Sequence, residues 1–93
     1  MTEIVEAHVV VSGHVQGVMF RASTMDAAVK AGVRGWVRNL PQQQVEAVLQ
    51  GERAAVETVL GFLRTGPPRA HVVDVAVSWR TPGELYHGFN VRY

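Results

Sequence analysis

Between Glu52 and Thr65, Val56, Val59, Leu60 and Leu63 stand at i, i+3, i+4 and i+7, the apolar face of an amphipathic helix. Gly66 and then Pro67-Pro68 stop it. A helix with one apolar stripe must bury that stripe against another layer, and the segments on either side read as strands. From Val5 to Ser12, Val5, Ala7, Val9 and Val11 alternate with Glu6, His8 and Ser12, the period of a strand with one buried face. Val33 to Asn39 and Val45 to Gln50 read as two further strands, joined by a hairpin over Leu40 to Gln44 with Pro41 blocking continued pairing. Val73, Val75, Val77 and Trp79 alternate with Asp74, Ala76, Ser78 and Arg80 in a fourth strand. After the Pro82-Gly83 turn, Phe89, Val91 and Tyr93 give a fifth. A second helix spans Arg21 to Ala31, Ala-rich, with Met25 and Val29 sharing a face and Gly32 as its stop. The order is β-α-β-β-α-β-β. It predicts an α+β, ferredoxin-like sandwich: a mostly antiparallel five-stranded sheet with both helices on one face.

At 93 residues one domain, 1–93, is expected, and 47% hydrophobic with 18% charged residues is a composition that packs a core rather than staying disordered. The net charge of +1 leaves no broad electrostatic footprint for nucleic acid or anionic lipid, so any anion must be bound locally. The absence of cysteine excludes a disulfide framework, a thiolate zinc site and a cysteine nucleophile. No apolar stretch reaches the length of a bilayer span and Glu3 and Glu6 precede the first apolar run. A soluble, cytoplasmic, monomeric protein without nucleic-acid or membrane partners is expected.

The chemistry concentrates at two junctions. In "GHVQGVMFR", glycines at 13 and 17 lie between a strand and a helix, an arrangement that aims successive backbone N–H groups at one point before a helix N-terminus and so favours an anion. Arg21 opens that helix, where a guanidinium can pair two phosphate oxygens at once. A plain turn with an exposed Arg fits the same glycine spacing. The nucleotide P-loop does not, because only three residues separate the glycines and its Lys-Ser/Thr pair is missing. In "GWVRNLP", Asn39 ends the second strand; an uncharged amide both donates and accepts, so it can orient a water beside a bound anion, although Asn also commonly begins turns. The first two strands run in the same direction in this topology, so Arg21 and Asn39 can converge at one sheet edge.

Taken together, Val11, Gly13, Val15, Gln16, Gly17, Val18, Phe20 and Arg21, then Gly35, Trp36, Val37, Arg38 and Asn39, resemble the acylphosphatase family. The similarity extends through "VEAVLQG", "GPPRA" and the strand from Phe89 to Tyr93. The resemblance implies a hydrolase that cleaves the carboxyl-phosphate anhydride of small acyl phosphates, with Arg21 as the phosphate-binding catalytic arginine and Asn39 positioning the attacking water. It implies backbone donors from His14, Val15, Gln16, Gly17 and Val18, and the substrate phosphate as acceptor of the water's proton. One departure is visible. Where the family often carries an Asp-Gly type turn, this chain has Gln42-Gln43-Gln44, so a position expected to be glycine is Gln43 and the hairpin must change turn type or accept strain.

That reaction suits the side chains present. An acyl phosphate already has a weakly basic leaving group, so binding, charge stabilisation and a placed water suffice. A phosphate monoester would call for a metal or a strong general acid, and no His/Asp ligand cluster is evident. No metal and no cofactor are expected, and inorganic phosphate or sulfate should compete with substrate. His14 could tune local charge or accept a phosphoryl group; His8, His71 and His87 are scattered. Two other functions share the element order. An RNA-recognition module would display an aromatic strand signature that is missing here, and the acylphosphatase-like domain of hydrogenase-maturation carbamoyltransferases sits in a much longer chain.

Overall fold

The computed structural model describes residues 3–93 and runs β1 (Ile4–His14), α1 (Phe20–Ala31), β2 (Arg34–Leu40), β3 (Gln44–Glu52), α2 (Arg53–Thr65), β4 (His71–Arg80), β5 (Phe89–Arg92). The sheet order is β4-β1-β3-β2-β5, antiparallel except for the parallel β2–β5 pair. The fold is a ferredoxin-like α+β sandwich. Because β1 and β2 both run antiparallel to β3, they share a direction and their C-terminal ends lie at the same edge.

The core forms where the two sequence periods meet. Ala7, Val9 and Val11 of β1, Val37 of β2 and Val45, Ala47 and Leu49 of β3 face the α2 stripe of Val56, Val59, Leu60 and Leu63. Each fully buried Val or Leu contributes about 1.5–3 kcal/mol, which is why the stripe fixes the helix on the sheet.

Helix α1 turns a different face inward from the one Met25 and Val29 mark. Those two side chains are 37% and 63% exposed, while Phe20, Thr24 and Ala28 are buried. The small Ala28 lets the helix approach the sheet, Phe20 packs on Phe62 of α2 with ring centroids 6.3 Å apart, and the Thr24 hydroxyl donates to the Phe20 carbonyl at 2.7 Å. Strand β4 also departs from simple alternation. Ser12 pairs with Asp74 but Gly13 with Val72, so Val73 is the extra residue of a bulge and points outward, 71% exposed. The bulge follows from a close crossing of backbones, for a Cβ on Gly13 (φ 133°) would lie 2.1 Å from the His71 carbonyl oxygen. β1 therefore continues through His14 before the loop begins.

The segment between β4 and β5 crosses the sheet face opposite the helices. Gln50, 1% exposed, holds it there: its amide nitrogen donates to the Glu84 carbonyl at 2.7 Å and to Glu6 at 2.9 Å, and its amide oxygen accepts from the Tyr86 N–H at 3.0 Å. On the same face Glu46 lies between His8 (2.6 Å) and Arg38 (2.6 Å). Burial pushes the Glu46 carboxyl up, but the hydrogen bonds from His8 and Arg38 and their charges outweigh it and hold the group below its ordinary value.

Candidate active site

The β1–α1 loop is fastened by three apolar anchors. Val15, Val18 and Phe20 are buried, which leaves Gly17, Met19 and Arg21 facing outward at the helix start. Gly17 (φ 71°) and Met19 (φ 63°) both take the left-handed conformation, and Met19 does so as the N-cap with no side-chain cap bond. A non-glycine residue held this way costs about 1–3 kcal/mol, a strain found most often where a loop must present its backbone in one orientation.

The first amide of this turn to be satisfied within α1 is that of Ser23, which donates to the Met19 carbonyl at 3.0 Å, and the N–H of Val15 is committed to the Gly13 carbonyl at 3.1 Å. Among the described residues, the N–H groups from Gln16 to Ala22 meet no protein acceptor. Those of Phe20, Arg21 and Ala22 lie in the first turn of α1, at the positive end of its dipole, and no acidic residue stands in that turn. Arg21 adds its charge there and forms no ion pair among the described residues; its guanidinium lies 4.6 Å over the Tyr93 ring.

Arg21 and Asn39 line one cleft of about 360 Å³ together with Val15, Gly17, Met19 and Tyr93. Asn39 reaches it from β2, on the helix-covered side of the sheet, and its amide has no hydrogen-bond partner among the described residues. Of the other residues singled out from the sequence, His14, Gln16 and Val18 lie outside the lining. His14 is exposed opposite His71 at the end of the β1–β4 pair, and Val18 anchors the loop in the core. The Gln16 side chain turns to the hairpin, donating to the carbonyls of Leu40 and, at 2.9 Å, of Gln44. Gln44 in turn donates to the Ser12 hydroxyl at 3.1 Å. Loop and hairpin are thus tied directly beside Asn39.

The hairpin that follows Asn39 accepts strain. Gln42 and Gln43 have φ of 64° and 59°, the left-handed region where glycine costs nothing. Met19, Ala22 and Tyr93 are cleft residues that sequence patterning did not mark as such. Tyr93 reads there only as the apolar end of β5, and nothing in the sequence marks Met19 as left-handed.

Among the described residues no group of three or more His, Asp or Glu side chains is placed to hold a metal, and no helix is long and apolar enough to cross a membrane. The cleft is lined by one cation, one side-chain amide, the Tyr93 phenol, apolar groups and backbone amides, with no carboxylate side chain.

These features define a ferredoxin-like α+β domain with an open, cationic cleft at one sheet edge. The acylphosphatase family model matches residues 7–91, and the chain belongs to that family. It is 50% identical over 93 residues to an acylphosphatase of Anaeromyxobacter sp. (strain Fw109-5), covering all of both chains. It is 55% identical over 86 residues to one of Haloquadratum walsbyi, covering 92% of this chain and 91% of that one. The solved structure of an acylphosphatase from Coxiella burnetii superposes with a TM-score of 0.92 at 40% identity, over 97% of this chain and 94% of its own.

Proposed function

We propose that residues 1–93 act as one metal-independent acylphosphatase domain, hydrolysing small acyl phosphates to carboxylate and inorganic phosphate. The observation that carries this reading is a single cleft lined by Gly17, Met19, Phe20, Arg21 and Ala22, whose N–H groups meet no protein acceptor, together with an ion-pair-free Arg21 and an unbonded Asn39 amide. A phosphoryl group seated before α1 accepts from the loop amides and from the Arg21 fork, which spreads its charge without a metal. Asn39, across the cleft on β2, holds a water by accepting one of its hydrogens through the amide oxygen, leaving a lone pair aimed at phosphorus. The water oxygen then bonds to phosphorus as the bond to the bridging oxygen breaks. The electron pair leaves with the carboxylate, and the water's proton ends on the phosphate, so the cleft needs no general base of its own.

Three supports are physical. The leaving carboxylate is a weak base, which removes the need for the general acid that the cleft lacks. The donor set suits a dianion rather than a cation. The Gln16 tie keeps the phosphate loop and the Asn39 strand in fixed relation.

Purified protein incubated with acetyl phosphate should release inorganic phosphate at a rate unchanged by a large excess of chelator. No release above the uncatalysed rate would refute the reaction. Release abolished by chelator and restored by magnesium would refute metal independence.

A further inference from the structure

The cleft shares Met19 and Ala22 with a second groove of about 520 Å³ between α1 and the end of α2. Its walls are α1, through Ala22 and Ala27, and the end of α2 with its turn, through Phe62, Gly66 and Pro67. The lining is mostly apolar. One turn beyond Ala22 the apolar lining ends at Asp26, whose charge is neutralised by Lys30 at 3.0 Å. The junction residue Met19 is held left-handed with its side chain 74% exposed, so a flexible thioether lies on the rim shared by both spaces.

We infer that this groove receives the acyl chain of the substrate and makes the enzyme favour acyl phosphates of four to five carbons over acetyl phosphate. The inference rests on the reading of the cleft as an acyl phosphate site, and the direction of the reaction supplies the argument. Phosphoryl transfer places the attacking and leaving oxygens roughly in line through phosphorus. Asn39 lies on the sheet beneath the cleft, so a water held there approaches from the sheet side. The leaving carboxylate must then face the opposite way, toward α1, where Met19 and Ala22 lead into the groove. An acyl chain leaving in that direction meets alanine, proline and phenylalanine surface instead of water.

The length of the groove sets the length of the chain. Ala22 to Asp26 is four residues of helix, about 6 Å at 1.5 Å per residue, enough for an extended chain of about four to five carbons before the charged pair. A completely buried methylene would raise kcat/KM about fourfold, and a groove open on one side gives about half that free energy, so about twofold per methylene. The charged pair at the end disfavours longer chains.

The test is a series of straight-chain acyl phosphates, from acetyl to dodecanoyl, assayed below their critical micelle concentrations. Straight-chain carboxylates differ little in basicity, so the chemical step is constant along the series. Wild type should gain about twofold in kcat/KM per methylene as far as butanoyl or pentanoyl, then level off. Ala27→Trp, which fills the groove away from the cleft, should flatten the gain while leaving acetyl phosphate turnover unchanged. Ala27→Glu, a helix-compatible replacement, should do the same by placing a charge against the chain. A flat series in wild type, with acetyl phosphate hydrolysed well, overturns the groove and leaves the acylphosphatase reading intact; so does a gain that survives both substitutions in folded protein. Hydrolysis of no member of the series overturns both.

Discussion

Replacing Gln16 by Leu keeps most of the side-chain volume and removes both hydrogen bonds that tie the phosphate loop to the hairpin. Each such bond contributes about 0.5–1.5 kcal/mol net, and the half-exposed position keeps both bonds toward the low end, so the pair amounts to about 1.5 kcal/mol. For a domain of this length that loss lowers the melting midpoint by about 6–12 °C. Circular dichroism melting at one fixed buffer and scan rate measures it. The cradle amides and Arg21 are untouched, so added phosphate should still raise the midpoint of the variant. Turnover of acetyl phosphate should fall, because Leu40 directly follows Asn39 and a loosened hairpin lets the amide wander. Gln16→Glu should be worse on both counts, since a carboxylate would face two carbonyl oxygens. A Gln16→Leu midpoint within about 2 °C of wild type, with full turnover, would refute the coupling of loop and hairpin.

Three further outcomes follow from particular contacts. Gln43→Gly should stabilise the fold by about 0.5 kcal/mol in urea titration, the relief of a left-handed residue less the entropy of glycine; a loss of stability would mean that Gln43 carries no strain. Millimolar phosphate or sulfate should raise the melting temperature of wild type and have no effect on Arg21→Ala; equal stabilisation of both would place the anion elsewhere. Glu46 has a folded pKa below its ordinary value, so its stabilisation is full above the unfolded value and disappears as pH falls through the folded one. Glu46→Gln should therefore be less stable than wild type at pH 7 by an amount that shrinks as the solution is acidified, and a pH-independent difference would contradict the ion-pair account.

The sheet was legible chiefly from the period of two in β1, where Ala7, Val9 and Val11 face the core beside Val45, Ala47 and Leu49 of β3. The α2 stripe was legible from its helical spacing, Val56, Val59, Leu60 and Leu63 at i, i+3, i+4 and i+7. Helix α1 was legible as an element over Arg21 to Ala31, but its buried face was not, since Thr24 and Ala28 carry no hydrophobic signal and the exposed Met25 and Val29 do. Its burial is decided by the close approach that small residues permit, a tertiary property. The outward turn of Val73 depends on where β1 crosses β4, which no single strand encodes. At the cleft, the shared direction of β1 and β2 was enough to bring Arg21 and Asn39 to one edge. The stack of Arg21 on Tyr93 and the left-handed Met19 arise from chain geometry that residue types alone do not announce.

The central claim, that Arg21 holds the phosphate and Asn39 the water, is tested most directly by steady-state kinetics of Arg21→Ala and Asn39→Ala with phosphate as competitive inhibitor. Arg21→Ala should raise both KM and the phosphate inhibition constant as well as lowering kcat, because its grip serves ground and transition states alike. Asn39→Ala should lower kcat by about a hundredfold to a thousandfold, about 2.7–4 kcal/mol, while phosphate inhibits it as tightly as wild type. Full turnover in a stably folded Asn39→Ala, or a defect confined to weaker phosphate binding, would contradict the assignment.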